Sequence, residues 1–505
     1  MSQKQQFSLK PALFATSTIS CATYTTQASA VTLRKSGAFS SPRPSHKCGE
    51  LTSKQIGETV QLTGWLSSIR FFGQNLAFVA LRDSIGTVQV KVEVPLGEEG
   101  NRVLEELRNA PLESILFMKG VVRERPSEMQ NKDMTTGQIE VQATELEVLN
   151  RADHLPLPYH RSTIDVGSED LRLKHSYLEL RQPYLQRNIR LRSKALQATR
   201  EYLVDQGFCE IETPTLFRKT SEGAREYVVP TRQPNKFYTL TQSPQQYKQL
   251  LMASGFDRYF QVARCYRDED LRADRQPEFT QIDMELAFIQ QEDIMTTIEG
   301  LIAAIWKKCL NVTIPTPFPR HTFQWCMENY GSDKPDTRFG IKLVDLTEVF
   351  HATQVGVIQK GLATTVSSSG NAKQRSFVKA INMKSIGKLN DKEIELIQAE
   401  AKKSLPGGVI TLYLTEDGAK LKSPISKHLS EAETNQLKEK MDLQPGDFVV
   451  LAAGVEDEVY SALGRLRLWA RDRLIAKGLL DIPADRYDLF WVVDFPLFTW
   501  EDGKM

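Results

Sequence analysis

The chain has 505 residues, of which 41% are hydrophobic and 25% charged, with a formal net charge of +1. That length and apolar content support two to four globular domains with cores of their own, and no apolar run reaches the roughly 18 residues of a membrane helix. Near-zero net charge excludes a globally basic nucleic-acid coat, so any nucleic-acid contact must come from local patches.

The first residues read as a leader. Residues 1–49 contain no Asp or Glu, while Lys4, Lys10, Arg34, Lys35, Arg43 and Lys47 lie among Ser, Thr and Ala. This is an organelle transit-peptide composition, for mitochondrion or plastid, and residues 1–47 read as a leader or a disordered basic tail. The six cysteines show no C-x-x-C pair or metal-ligand spacing, which suits free thiols in a reducing compartment, and no metal ligand is assigned.

From 48 to 150, the segments TVQLTGWLSSI, LAFVALRD, GTVQVKVEV, SILFMKGVVRER and QIEVQATELEVL alternate apolar and polar residues between Gly, Asp and Pro breaks. They predict five short strands, forming a small barrel of the oligonucleotide-binding (OB) type or an antiparallel sandwich. The helix-like NRVLEELRNAP follows the third strand. Residues 151–167 read as a linker.

A second domain spans 168–341. Leu171 to Asp205 shows long helical spacing, and CEIETPTL reads as a strand ended by Pro214. TQSPQQYKQLLMASG predicts a helix capped by Ser243, with Pro244 at its first position and Gly255 at its stop. A charged hairpin follows, RYFQVARCYR and EFTQIDMEL joined by RDEDLRADRQP. Period-two alternation gives that hairpin one polar face, with Gln281, Asp283 and Glu285 together, which reads either as a solvated face or as a site. EDIMTTIEGLIAAIWKKCL closes the block as a helix. Residues 342–477 alternate helices and strands as a separate inserted domain. In 478–505, DLFWVVDFPLFTW reads as one apolar strand.

Five segments in order resemble the class II aminoacyl-tRNA synthetases, specifically the bacterial and organellar aspartyl type: TSEGAREYVVP, KFYTLTQSPQQYKQLLM, FDRYFQVARCYRDEDLRADRQPEFTQID, YGSDKPDTRFG and FWVVDFPLF. The resemblance covers roughly Cys48 to the end. It implies an α+β multidomain fold: an N-terminal OB-fold β-barrel, an antiparallel-sheet catalytic core and an inserted α+β domain. It also implies activation of L-aspartate with ATP and Mg²⁺, followed by transfer to tRNA(Asp), in a homodimer of the mitochondrial matrix that no membrane holds.

The site residues follow from the same resemblance. Arg267 would grip the α-phosphate of ATP and act in catalysis, with Asp268, Glu269 and Gln276 in the same ATP-contacting loop. Lys248 would take the side-chain carboxylate of aspartate, oriented by Asp283, and Glu222, Ser243 and Gln245 would face the rest of the amino acid. Ser243 also reads as a helix cap alone, Glu222 as a surface turn residue and Lys248 as a solvated helical lysine. On the barrel, Arg70, Phe78 and Gln89 would read the anticodon; Phe78 reads equally as a core residue. IRLRSKALQATREYLVDQGFCEIETPTL resembles motif 1, the dimer element. The resemblance further implies family segments beyond WVVDFPLF, including motif 3, and hence an unstable or inactive chain without them. A non-catalytic tRNA-binding or regulatory product, or an asparaginyl or lysyl synthetase, is the competing reading.

Overall fold

The computed structural model describes residues 31–34, 43–153, 155–156, 168–220, 223–270, 272, 275–364 and 375–498. They divide into two compact units, residues 1–190 and 191–505.

In the first unit, β1 (Thr32–Leu33), β2 (Thr59–Phe72), β3 (Leu76–Arg82), β4 (Thr87–Glu93), β5 (Ile115–Glu124) and β6 (Ile139–Asn150) lie in the order β1-β6-β4-β3-β2-β5. A β5–β6 pairing closes the sheet on itself, so the arrangement is a barrel and not a sandwich. Alternation puts Leu62, Val79, Val90, Met118 and Val141 in the core, and α1 (Glu98–Arg108) adds Val103, Leu104 and Leu107. Part of the acid-free leader belongs to this barrel: Thr32 and Leu33 pair in parallel with Glu145 and Leu146, and Val31 is buried in the core. That piece of the 1–47 span is therefore not a free tail.

The expected long helix from Leu171 to Asp205 is instead three: α2 (Glu169–Lys174), α3 (Ser176–Glu179) and α4 (Pro183–Asp205). Pro183 lacks an N–H and pushes the residue before it out of helical backbone, so the chain breaks there and restarts with proline at the first position. At the α3–α4 turn Arg181 donates to Glu113, whose carboxylate also accepts two bonds from Arg82. Both guanidiniums lie over the Trp65 ring.

In the second unit, the central hairpin pairs β11 (Arg258–Tyr266) with β12 (Glu278–Leu286). β7 (Cys209–Glu210) lies parallel beside β11. CEIETPTL thus yields two short strands rather than one, β7 and β8 (Leu216–Phe217), because Pro214 cannot donate to a ladder. β8, β10 (Phe237–Leu240) and β9 (Val228–Pro230) form a second small sheet, and α5 (Gln245–Ala253) packs on the hairpin. α5 starts one residue later than its sequence suggests: Pro244 is the cap residue, and the Ser243 hydroxyl accepts from the Gln245 N–H at 3.3 Å.

α6 (Gln291–Leu310) leads to β13 (Arg320–Thr322), α7 (Phe323–Tyr330) and, distant in sequence, β19 (Trp491–Val493), which pairs parallel with β13. Among the described residues of DLFWVVDFPLFTW only three are strand, because Asp494 turns to φ 56 and Pro496 cannot pair. The buried Glu299 of α6 accepts from the Phe318 N–H (3.0 Å) and the Trp491 indole N–H (2.8 Å), fixing this corner.

His321 stacks on Trp325 with centroids 3.8 Å apart and packs against Phe490. Burial, with the Lys342 ammonium near by, holds its imidazole below the ordinary histidine value. The unfolded chain therefore binds a proton that the folded chain refuses as pH falls below about 6.5, so this stability is intact above that value and lost towards the folded pKa. The urea midpoint is expected to fall between about pH 7.5 and about pH 5.5, and His321→Gln should flatten that dependence. Identical slopes in the two proteins would refute this.

Between Val344 and Ala476, β14 (Val344–Asp345), α8 (Gly356–Ala363), β15 (Ser376–Met383), α9 (Asp391–Lys402), β16 (Ile410–Leu414), β17 (Leu421–Lys422), α10 (Glu431–Lys440), β18 (Phe448–Val455) and α11 (Glu456–Ala476) build an antiparallel five-stranded sheet, ordered β14-β15-β18-β16-β17. α11 reaches out of it. The fully buried Arg467 donates to the carbonyls of Ile341, Asp336 and Phe339, and its guanidinium lies 3.9 Å from the Phe339 ring centroid and 4.6 Å from that of Tyr330. Desolvation lowers its pKa to about 10, still well above neutrality, so it stays charged. YGSDKPDTRFG is thus clamped by one arginine from the far end of the inserted segment.

The five described cysteines are free thiols, and Cys21 lies outside the described residues. No described helix is long and apolar enough to cross a membrane.

Candidate active site and nucleic-acid face

The polar face of the hairpin is half-buried rather than fully solvated. By alternation Tyr259, Gln261, Ala263 and Cys265 of β11 share a face, and register sets Glu285, Asp283, Gln281 and Phe279 of β12 opposite them. α5 covers this face and inserts Lys248, only 9% exposed, whose Nζ lies 2.9 Å from Asp283 Oδ1 and 3.4 Å from Glu285 Oε2. An ammonium at that depth needs carboxylate partners, and the strand period supplies two. Beside it, Gln261 Oε1 accepts from both the Tyr259 and Thr213 hydroxyls at 2.8 Å. Burial and the neighbouring Asp283 raise the Tyr259 phenol far above its ordinary value, so it remains a neutral donor. Among the described residues Asp283 Oδ2 is buried without a hydrogen-bond partner.

At the open end of the hairpin, the Arg267 N–H donates to the Pro277 carbonyl at 3.0 Å and closes the loop neck. The Arg267 guanidinium lies 5.1 Å over the Phe279 ring, and its buried Nε has no hydrogen-bond partner among the described residues. Asp268 pairs with Arg225 at 3.0 Å and donates its N–H to the Arg225 carbonyl. Glu269 pairs with Arg275 at 3.1 Å, and Gln276 is exposed in the loop. The segment carrying Arg225 is held by Gln242, whose amide accepts from the Ala224 N–H and donates to the Ala224 carbonyl. Gln245 begins α5 beside Ser243. Glu222 lies outside the described residues.

Of the residues singled out from sequence, Lys248 and Asp283 are in direct contact, while Arg267, Asp268, Glu269 and Gln276 belong to the loop at the end of the same hairpin. Sequence reasoning missed Glu285, although its spacing of two from Asp283 placed it on the same face. It also missed Arg225 and Arg275 as the partners of the loop carboxylates; no local pattern announces a pairing between Arg225 and a residue 43 positions on.

On the barrel, Arg70 of β2 pairs directly with Phe78 of β3, and Gln89 of β4 faces Ala80, the next outward position. Phe78 stands on the outer, half-exposed face, while its neighbours Ala77 and Val79 are buried; the core reading of Phe78 is set aside. Phe72 meets it edge to face with centroids 5.5 Å apart. Gln89 Nε2 donates to Glu140 Oε2 at 2.9 Å, which fixes the amide. An exposed cation, an aromatic face and an oriented amide lie side by side.

The family model for class II tRNA synthetases (D, K and N) matches residues 168–503, and that for the OB-fold nucleic acid binding domain matches residues 60–149. The chain is 44% identical over 471 residues to the mitochondrial aspartate–tRNA ligase of Dictyostelium discoideum, covering 91% of this chain and 67% of that protein. It is 41% identical to the aspartate–tRNA(Asp/Asn) ligase of Opitutus terrae, covering 91% and 75%, and 42% identical to the mitochondrial aspartate–tRNA ligase of Rattus norvegicus, covering 89% and 67%. A buried lysine–carboxylate site on an antiparallel hairpin, an OB barrel with an outward aromatic, and matches of this extent agree: the chain belongs to the class II tRNA synthetases of the D, K and N group.

Proposed function

We propose that the protein is an aspartate–tRNA ligase that activates L-aspartate with ATP and transfers it to tRNA(Asp) in the mitochondrial matrix. The observation that carries the amino-acid choice is Lys248, buried between Asp283 and Glu285. Its ammonium suits a third carboxylate, that of an aspartate side chain, and would repel the lysine ammonium. In the first step the α-carboxylate of aspartate attacks the α-phosphate and pyrophosphate leaves. In the second, a terminal ribose hydroxyl of tRNA attacks the acyl carbon and AMP leaves.

Both steps are governed by positioning and charge. Arg267, with a free donor and a planar fork, would follow charge developing on the α-phosphate. Asp268, Glu269 and Gln276 would line the nucleotide, while Glu222, Ser243 and Gln245 would face the backbone end of aspartate. Mg²⁺ is typical of the family. Asp268 and Glu269 are both engaged by arginines, however, and no group of three metal-binding side chains exists among the described residues, so these residues do not make a metal site. Homodimerisation through the motif 1 segment rests on the resemblance of that segment alone.

The test is ATP–pyrophosphate exchange with aspartate, asparagine and lysine as alternative substrates. Exchange driven by aspartate supports the reading, and exchange driven by either of the others overturns it. For the barrel, base stacking on an aromatic contributes about 1–3 kcal/mol. Phe78→Ala should therefore weaken tRNA(Asp) binding by roughly ten- to a hundredfold while leaving amino-acid activation unchanged, as filter binding and exchange on the same preparation will show. Unchanged tRNA affinity would remove Phe78 from the interface.

A further inference from the structure

The outward face of the barrel carries a second aromatic side chain beside Phe78. Beyond the irregularity at Leu66 and Ser68, β2 alternates cleanly. Phe71 packs against the barrel core, with the Arg108 guanidinium 4.8 Å from its ring centroid, while Arg70 and Phe72 stand exposed on the other face. Phe72 is 53% exposed. Its backbone is nonetheless fixed: it pairs with Leu76, Gly73 takes the left-handed backbone of the turn that follows (φ +62), and the Asn75 carbonyl accepts from the Val94 N–H at 2.9 Å.

Exposure of a single apolar side chain is ordinary at a protein surface; the placement of this one is not. Phe72 lies diagonally across the β2–β3 ladder from Phe78, and the two rings meet at 86° with centroids 5.5 Å apart. Rings at right angles cannot both lie flat against one planar base. They offer two platforms rather than one larger one. Their rows on the sheet also differ. Phe78 is paired with Arg70 on one side and Lys91 on the other, whereas the row of Phe72 continues through Leu76 to Glu93, whose carboxylate Lys91 holds at 2.8 Å.

We infer that Phe72 is a second stacking site for an unpaired nucleobase, and that it takes the base next in the anticodon loop to the one stacked on Phe78. The inference rests on the proposed role of this barrel face in holding that loop. Every base has a π-face, so Phe72 contributes affinity without choosing which base it takes. The right angle between the rings splays the two neighbouring bases apart, which leaves the edges of both open.

The test is filter binding of tRNA(Asp) to the full chain, with the intact tRNA and with a set of tRNAs that each lack one base of the anticodon loop. Phe72→Ala should weaken binding of intact tRNA by roughly ten- to a hundredfold. Phe72→Trp should keep the affinity and Phe72→Leu should not, which separates a stacking face from apolar bulk. The loss caused by Phe72→Ala should vanish on one abasic tRNA and that caused by Phe78→Ala on another, and exchanging the base at the first position should change affinity little. Full binding by Phe72→Ala or Phe72→Leu, or one abasic tRNA that silences both alanine variants, would overturn the inference. A loss with Phe78→Ala but none with Phe72→Ala removes the second site alone; no loss with either removes the anticodon face as well.

Discussion

Arg267→Ala is expected to lower aspartate-dependent ATP–pyrophosphate exchange by about 10²–10³-fold, with little change in the unfolding transition. The two halves of this expectation have different causes. The Arg267 backbone closes the hairpin neck through Pro277, and that bond survives the substitution. Among the described residues the guanidinium itself spends little on the fold: its contact is the Phe279 ring, and its buried Nε has no hydrogen-bond partner. What the substitution removes is therefore a donor set that the fold uses little and that is proposed to meet charge developing at the α-phosphate. Arg267→Lys should not restore the rate, since a point charge cannot reproduce two parallel donors. A sulfamate analogue of the adenylate gives an independent readout, because its affinity should fall with the exchange rate. Exchange within tenfold of the parent would sink the assignment.

The second large effect is at Lys248. Lys248→Met leaves Asp283 and Glu285 on one strand face under α5 with no cation between them. Breaking a buried pair by removing one partner costs about 3–5 kcal/mol, so a large fall in the chemical-denaturation midpoint should accompany loss of aspartate-dependent exchange. A double variant separates fold from function. Lys248→Met with Asp283→Asn removes the pair together with much of the uncompensated charge, and should recover much of the stability without recovering exchange. If the double variant regains exchange as well, Lys248 is a structural group and not the reader of the aspartate side chain.

The sequence made these residues visible unevenly. Period-two alternation placed Asp283 and Glu285 together before any coordinates, and helical spacing placed Lys248 one turn into α5. Neither pattern could say that the two faces meet, because burial of the hairpin's polar side depends on α5 docking across it. Charge density therefore looked the same for a solvated face as for a site. The barrel strands were legible because each alternates cleanly around one core. Less legible were stretches whose apolar residues serve more than one neighbour. DLFWVVDFPLFTW looks like a long strand, yet Asp494 leaves extended backbone after three residues, and Leu171–Asp205 looks like one helix, yet Pro183 divides it. The Arg225–Asp268 pair and the Arg467 bonds to the carbonyls of Asp336, Phe339 and Ile341 leave no trace in local spacing, since each joins residues that only the fold makes neighbours.

Arg467 bears on how this architecture can be edited. The inserted segment looks like a cassette: it enters after a loop, builds its own sheet and returns to β19. Yet its last helix supplies the only side chain that the described structure shows holding the carbonyls of Asp336, Phe339 and Ile341 together. Excising residues 342–477 would withdraw that side chain and strip its donors from three peptide oxygens within residues 336–341 at once, leaving the Thr337–Asp488 and Arg486–Arg338 bonds to tie the segment to the returning chain. The insertion is modular in outline and not in energy, and a minimal version of the protein would need a substitute cation at that spot before its deletion could be tolerated.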